Sequence, residues 1–244
     1  MTSDYRAQSK YSKIFLRHSI VSEKKPGANY ILNKLDDCFK GKKSVLDIGC
    51  AEGVLGSEIK KRYGCDVFGM EINKYAIKQA QRLGIKVKMA DLENKWPFPD
   101  NSFDVVMAAQ IIEHVINTDN IILEANRVLK KGGLLIITTP NLANWFNRII
   151  FLFGFQPFYT EISLKDKTLG LKFTRNFTKN REPIGHIRIF TLKGLIDLLE
   201  YHKLKIVAVK GGSIYYLPSF MKPLDKFFSV FPPLAADLIL VSIK

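Results

Sequence analysis

Cysteine is scarce in this chain, acidic residues are outnumbered by basic ones, and no apolar run is long. The three cysteines, Cys38, Cys50 and Cys65, have no metal-ligand spacing and suit a reducing compartment, so a cytoplasmic setting is expected. The longest apolar stretches, around residues 145–158 and 234–243, fall short of the ~20 residues a membrane-spanning helix needs. The opening MTSDYRAQSKYSKIF holds no apolar run ahead of a small-residue cleavage site, and no secretion signal is read there. Internal repeats and low-complexity tracts are also missing.

The acidic deficit, 23 Asp and Glu against 37 Lys and Arg, leaves a net charge of +14. The basic residues are dispersed and carry no RNA or DNA recognition signature. A solvated surface is the plain reading of that charge, with anionic lipid or a phosphorylated acceptor next and nucleic acid last. Peripheral contact with the inner face of a membrane follows as an expectation. Oligomeric state is not legible. What is present is ordinary globular composition, 47% hydrophobic and 25% charged over 244 residues, enough for one large domain with a substantial core.

After a basic, helical leader (residues 1–43), apolar strands alternate with amphipathic runs. Strands are expected at 44–48, 66–70, 87–90, 103–108, 134–138, 205–210 and 238–243, with helices at 54–62, 74–83, 118–128 and 191–201. The third of those helices stops at KKGG, a basic turn followed by glycine, as a helix end does. Strands apolar on both faces predict a doubly wound α/β fold: a mostly parallel seven-stranded sheet covered by helices, with a final antiparallel strand. Residues 44–140 form the expected ligand-binding core of one domain. Residues 141–185 break the pattern as a helical lid, and 186–244 resume it around an aromatic insertion at 212–233.

The segment VLDIGCAEG brings Asp47 to the end of a buried strand and then clears bulk from the turn. Gly49 and Gly53 let the backbone approach a ligand, and Cys50 and Ala51 are small enough not to obstruct it. The glycines do not follow G-x-G-x-x-G, and Asp47 would repel a phosphate there, so a cationic or amine-bearing ligand fits better. The next strand ends with Glu71, which can accept from both hydroxyls of a ribose, and the third with Asp91, which can accept from an adenine amine. Together they describe a nucleoside with a positive centre and no phosphate.

These residues resemble the class I S-adenosylmethionine-dependent methyltransferases, in particular the group that includes ubiquinone-biosynthesis O-methyltransferases. LDIGCAEG, GMEIN, ADLENKWPFPDNSFDVV, EHV and RVLKKGGLLIITTPN match that family's motifs in order over residues 44–140. The resemblance implies S-adenosyl-L-methionine as cofactor. It assigns Asp47 and Gly49 to the methionine part, Glu71 with Ile72 to the ribose side, and Asp91 with the Leu92 backbone to the adenine. Gln110 at the end of the fourth strand completes the cofactor set. Ala51 stands where the family often has glycine.

AAQIIEHVIN brings Glu113 and His114 to the same edge, with His114 a candidate general base and Glu113 a candidate acceptor contact. The related ubiquinone enzymes hold a divalent metal here on acidic residues and a histidine. Gln110 replaces the first acid, so no metal is expected. A His-x-Arg element, His186 and Arg188, returns the chain toward this edge and is assigned to acceptor binding, as is Trp145. Leu142, Trp145, Phe146, Ile149, Ile150 and Phe153 recur at helical spacing as one apolar stripe, widened by Phe151, Leu152 and Phe155. The expected activity is methylation of a small, lipid-linked or saccharide acceptor at a hydroxyl. An RNA methyltransferase and a non-catalytic cofactor-binding member of the fold are the alternatives.

Overall fold

The computed structural model describes residues 26–176, 178, 181–213 and 219–244. Most of the expected leader, and Tyr215 and Tyr216 of the second aromatic stretch, lie outside the described residues. Helix α1 (Pro26–Phe39) is followed by β1 (Ser44–Ile48), α2 (Val54–Tyr63), β2 (Asp66–Glu71), α3 (Lys74–Arg82), β3 (Lys86–Met89) and β4 (Phe103–Ala109). A 3-10 turn (Ile112–His114), α4 (Thr118–Val128) and the long β5 (Leu129–Pro140) come next. Then come α5 (Trp145–Leu152), a 3-10 turn (Lys172–Thr174), α6 (Leu192–Tyr201) and β6 (Lys205–Gly212). A 3-10 turn (Ser219–Met221), α7 (Lys222–Phe228) and β7 (Asp237–Ile243) complete the described elements.

The sheet runs β3-β2-β1-β4-β5-β7-β6. Strands β1 to β5 are parallel, and β7 lies antiparallel between β5 and β6, as the apolar pattern predicts. Successive strand residues feed opposite faces. Leu46, Ile48, Val106, Ala108, Leu135 and Ile137 pack with Ile121, Ile122 and Leu195 from α4 and α6. Val45, Val105, Met107 and Ile136 pack on the other face with Leu32, Leu35, Leu55 and Ile59 from α1 and α2. Each fully buried Leu or Ile contributes about 1.5–3 kcal/mol relative to exposure, so both layers hold the strand ends in register.

Two local expectations are corrected. KKGG does not end α4: Leu129 is already extended at φ −70°, ψ 138°, and Lys130 to Gly133 belong to β5. The pairing jumps there, from Phe103 opposite Leu129 to Val105 opposite Leu134, so the glycines serve a bulge, with Gly132 at φ +75°. The Lys130 ammonium reaches Asp104 at 2.9 Å across the sheet, a partner that a helical last turn would not give it.

The lid helix is also shorter than its stripe. Helix α5 is capped by Asn144, whose side chain accepts from Asn147 N–H, and ends before Gly154 at φ +74°. Only Trp145, Asn147 and Ile150 of the helix are buried. Phe151, Leu152 and Phe153 are 67%, 83% and 75% exposed, and Ile149 and Phe155 also face outward. Within the stripe, Phe146 meets Trp145 and Phe158 and Phe155 meets Phe173 edge to face, while Phe151, Leu152 and Phe153 turn outward.

Gly53 ends the β1–α2 turn at φ +78°, where a Cβ would lie 2.7 Å from Ala80 Cβ and 2.9 Å from Ala80 Cα on α3. That contact is with backbone and cannot rotate away. We expect Gly53→Ala to destabilise the fold by about 2 kcal/mol or more, a drop in Tm of roughly 4–8 °C. Thermal melting followed by circular dichroism checks this; an unchanged Tm would show that α2 and α3 can separate freely.

Candidate active site

The carboxyl ends of β1, β2 and β4 meet at one edge of the sheet, where ligands bind in open parallel folds. The turn after β1 is held from below: Gly49 and Cys50 N–H both donate to Met70 O, at 2.8 and 3.1 Å. Gly49 sits at φ +65°, and a Cβ there would come within 2.6 Å of Ile111 Cδ1. Cys50 turns its thiol inward against Gly69 of β2, and burial raises its pKa, so it contributes backbone rather than chemistry. Ala51 holds φ +46°, which explains why glycine suits this position.

Glu71 is buried and accepts three backbone N–H groups. Oε2 takes Ala51 N–H at 3.0 Å, and Oε1 takes those of Ile72 and Asn73 at 2.8 and 2.9 Å. A carboxylate oxygen has two lone pairs, so Oε2 retains one toward the turn. Ile72 beside it is 53% exposed, an apolar surface on the rim. Asp91 Oδ1 accepts from Glu93 N–H at 2.9 Å, and Leu92 O accepts from Asn120 Nδ2 at 2.9 Å, which fixes that corner of the edge.

Asp47 differs from all of these. It is 2% exposed, and among the described residues no donor reaches its carboxylate. Burial first, and the Glu71 charge second, push its pKa up to about 7. A buried acid without a donor is costly unless a ligand supplies the positive charge.

The second half of the edge follows β4. Gln110 is left-handed at φ +53°, and its N–H is shared between Thr138 O at 2.8 Å and Thr138 Oγ1 at 3.2 Å. Such strain in a non-glycine residue costs about 1–3 kcal/mol and concentrates at functional sites. The 3-10 turn then buries Glu113, whose Oε2 accepts from Thr139 Oγ1 at 3.0 Å. Its pKa is pushed up to about 8 by burial. His114 Nδ1 faces Gly185 O at 3.1 Å, and His186 Nδ1 faces Tyr159 O at 3.2 Å, with the two rings 4.9 Å apart. Burial lowers both histidines, to about 4 and about 3, so both rings are neutral.

Glu113, His114 and His186 are thus brought together, although 73 residues separate the first from the last in sequence. Ile187 and Arg188 N–H both donate to Glu113 O, at 2.8 and 3.1 Å, which sets the register of the returning segment. Arg188 does not face the edge: its guanidinium donates twice to Ile116 O on the outside, at 3.2 and 2.8 Å. Trp145 is buried in packing, stacked on Phe228 at 5.2 Å with Nε1 donating to Asp225 Oδ1 at 3.0 Å. That contact joins α5 to α7, one from each aromatic segment.

Sequence reasoning missed Thr139, Tyr159 and Glu161. Glu161 grips the returning chain with both oxygens, accepting from Ile184 and Gly185 N–H at 2.6 and 2.8 Å. Thr139 could have been found as the polar end of a buried strand; the other two carry no local signal.

The fold is that of the class I S-adenosylmethionine-dependent methyltransferases. Residues 46–137 match the family model described as a methyltransferase domain. A crystal structure of an S-adenosylmethionine-dependent methyltransferase from Archaeoglobus fulgidus superposes with a TM-score of 0.63 at 19% identity, covering 94% of this chain and 99% of that one. A sterol 24-C-methyltransferase of Gibberella zeae is 38% identical over 97 residues, covering 37% of this chain and 26% of the relative. A ubiquinone biosynthesis O-methyltransferase of Pelagibacter ubique is 36% identical over 102 residues, 40% of this chain and 42% of the relative. The chain therefore spans less than half the length of these curated relatives. The cofactor of this class is S-adenosylmethionine.

A cationic ligand needs Asp47 ionised, and with its pKa raised to about 7 the acid is mostly protonated at lower pH. Binding must then expel a proton, so affinity falls by about tenfold per pH unit below that value and levels off above it. Calorimetric titration with S-adenosylmethionine from pH 5.5 to 8 should show this curve, and Asp47→Asn should bind weakly with a flat profile. An equal slope in both proteins would remove Asp47 from the site.

Proposed function

We propose that this chain transfers the methyl group of S-adenosylmethionine to a hydroxyl of a small, lipid-linked or saccharide acceptor. The observation that carries this is the donorless, buried Asp47 carboxylate on the same edge as the acceptor-rich corner of Glu113, His114 and His186. In this reading Asp47 meets the positive methionine part of the cofactor. The free lone pair of Glu71 takes a ribose hydroxyl, Asp91 the adenine amine, and Ile72 the ring face. Gln110 borders the methyl group.

The reaction is an in-line displacement: the methyl–sulfur bond breaks as the carbon–oxygen bond forms, S-adenosylhomocysteine departs, and the hydroxyl loses its proton. Holding donor and acceptor in line accounts for most of the acceleration, since the sulfonium is already activated. The protein's further task is to receive the hydroxyl proton's charge, and the His114 corner is the group at hand on this edge. Incubation with methyl-labelled cofactor and extracted cell fractions tests the reading. Label should enter the organic phase or a soluble sugar fraction, and label confined to RNA would overturn it. With the acceptor in hand, His114→Ala should lower turnover by ~10²-fold or more with cofactor affinity nearly unchanged. A loss below tenfold would make His114 a structural residue.

A lipid-linked acceptor is supported by the outward face of the lid. Phe151, Leu152 and Phe153, with Phe220, Phe227 and Val230 near α7, form exposed apolar surface. Arg148, Lys172, Lys222 and Lys226 beside them are exposed and basic, as an anionic lipid surface requires. Relatives named for a sterol and for ubiquinone biosynthesis agree with an apolar acceptor. No described helix is long and apolar enough to cross a membrane. Sedimentation with anionic vesicles should show weak binding that high salt abolishes; protein remaining in the supernatant at both salt concentrations would leave a soluble acceptor.

A further inference from the structure

The antiparallel strand brings one more acid to this edge. Because β7 runs against its neighbours, its first residue, Asp237, lies opposite Pro140 at the carboxyl end of β5. Thr139, one position back, holds Glu113 through Oγ1, and Thr138, two positions back, holds the N–H of Gln110. Asp237 therefore stands about 7 Å beyond the level of Thr138. The backbone leading into it is tied on both sides. Asn141 N–H donates to Ala236 O at 2.8 Å, Asn141 Nδ2 to Ala235 O at 2.8 Å, and Ala236 N–H to Gly212 O at 3.0 Å.

Asp237 is half-buried, and among the described residues no donor or cation reaches its carboxylate. Its partner across the ladder is Gly212, which has no side chain. A Cβ there would lie 2.9 Å from Asp237 Cβ and 3.5 Å from Oδ2, so the carboxylate rests beside bare backbone with its lone pairs open. Burial first, and the charge of Asp225 second, push the pKa of Asp237 up to about 7. Asp225 accepts from Trp145 Nε1, so the lid helix helps to place that charge.

We propose that Asp237 is the general base that takes the proton of the acceptor hydroxyl, a role that rests on the methyl-transfer reading above. As the oxygen–carbon bond forms and the carbon–sulfur bond breaks, the O–H proton passes to an Asp237 oxygen and S-adenosylhomocysteine departs. The sulfonium and carboxylate charges cancel in that step. The other groups of the corner suit the task less. Burial, with the charge of Asp237 as a smaller cause, pushes Glu113 up to about 8, so it holds its own proton at neutral pH. His114 and His186 set Nδ1 against carbonyl oxygens, and burial lowers them to about 4 and about 3, which makes them weak bases. A base works best when its pKa lies near the working pH, and Asp237 is the member of this corner that meets that condition. Glu113 and the two histidines are left to orient the acceptor.

The test measures turnover of the full chain against pH, with methyl-labelled S-adenosylmethionine and the extracted cell fraction that accepts label. Saturating cofactor keeps Asp47 paired, so its titration does not enter. Wild-type turnover should fall about tenfold per pH unit below about pH 7 and level off above it. Asp237→Asn should lose about 100-fold or more on the plateau, lose the acid limb, and keep S-adenosylhomocysteine affinity within about threefold. Asp237→Glu should recover about a tenth of the activity or more, and His114→Ala should keep the limb whatever its rate. Turnover of Asp237→Asn within about tenfold of wild type, or a limb that survives there and vanishes in His114→Ala, would overturn the assignment and leave the methyltransferase reading standing. No transfer of label by wild type would overturn that reading and the assignment with it. Circular dichroism checks the folding of each variant. If Asp237→Asn does not fold, carbon-13 NMR of the cofactor-bound wild type decides: an Asp237 carboxyl titrating near the ordinary aspartate value of about 4 would overturn the proposal, and one titrating near neutrality would support it.

Discussion

One carboxylate holds the edge at the ends of β1 and β2 in shape. Glu71 joins two pieces of backbone that the sheet alone would leave apart, the turn after β1 and the start of α3, by accepting from Ala51, Ile72 and Asn73. Charge-assisted bonds of this kind are roughly twice as strong as neutral ones, which helps to hold Ala51 in its left-handed conformation. The same group supplies a negative charge beside Asp47 and helps keep that acid protonated until a cation arrives. Shape and electrostatics of the edge thus trace to a single side chain.

The corner after β4 is built differently, by main chain docking on main chain. The return from the lid lays Ile187 and Arg188 against Glu113 O, and Arg188 then fastens to Ile116 O. His186 is carried into place by those neighbours. Its ring is oriented by Tyr159, a residue at φ +73° at the far end of the lid, so three separate segments determine where one nitrogen points.

Strand ends and their acids were legible because burial and turn chemistry leave local marks: a run of apolar residues, an acid, then small residues. Asp47 carries that mark in full; Glu71 and Asp91 share only its place near a strand end, on the same edge of the sheet, Asp91 following a mostly exposed strand. KKGG was not legible, since the same four letters make a helix end or a strand bulge, and the choice rests on Asp104, more than 20 residues away. The aromatic stripe after Asn144 has helical spacing in any context, and spacing says nothing about whether a second surface is there to cover it. Glu161 and Thr139 act on partners 23 and 26 residues distant, which no window of sequence displays. His186 was visible as a motif, but its partnership with Glu113 was not.

Glu161 has a consequence for how such a chain can diversify. By gripping Ile184 and Gly185 it closes the intervening stretch, much of it without regular structure, into a loop whose two ends are fixed to each other. The entropy of closing a flexible loop grows only with the logarithm of its length, about 0.6 kcal/mol for each doubling. Residues between the clamped ends can therefore be lengthened, shortened or recomposed at small thermodynamic cost, while Gly185 and His186 arrive at the same point. Glu161 thus separates the length of this segment from the position of the corner it delivers.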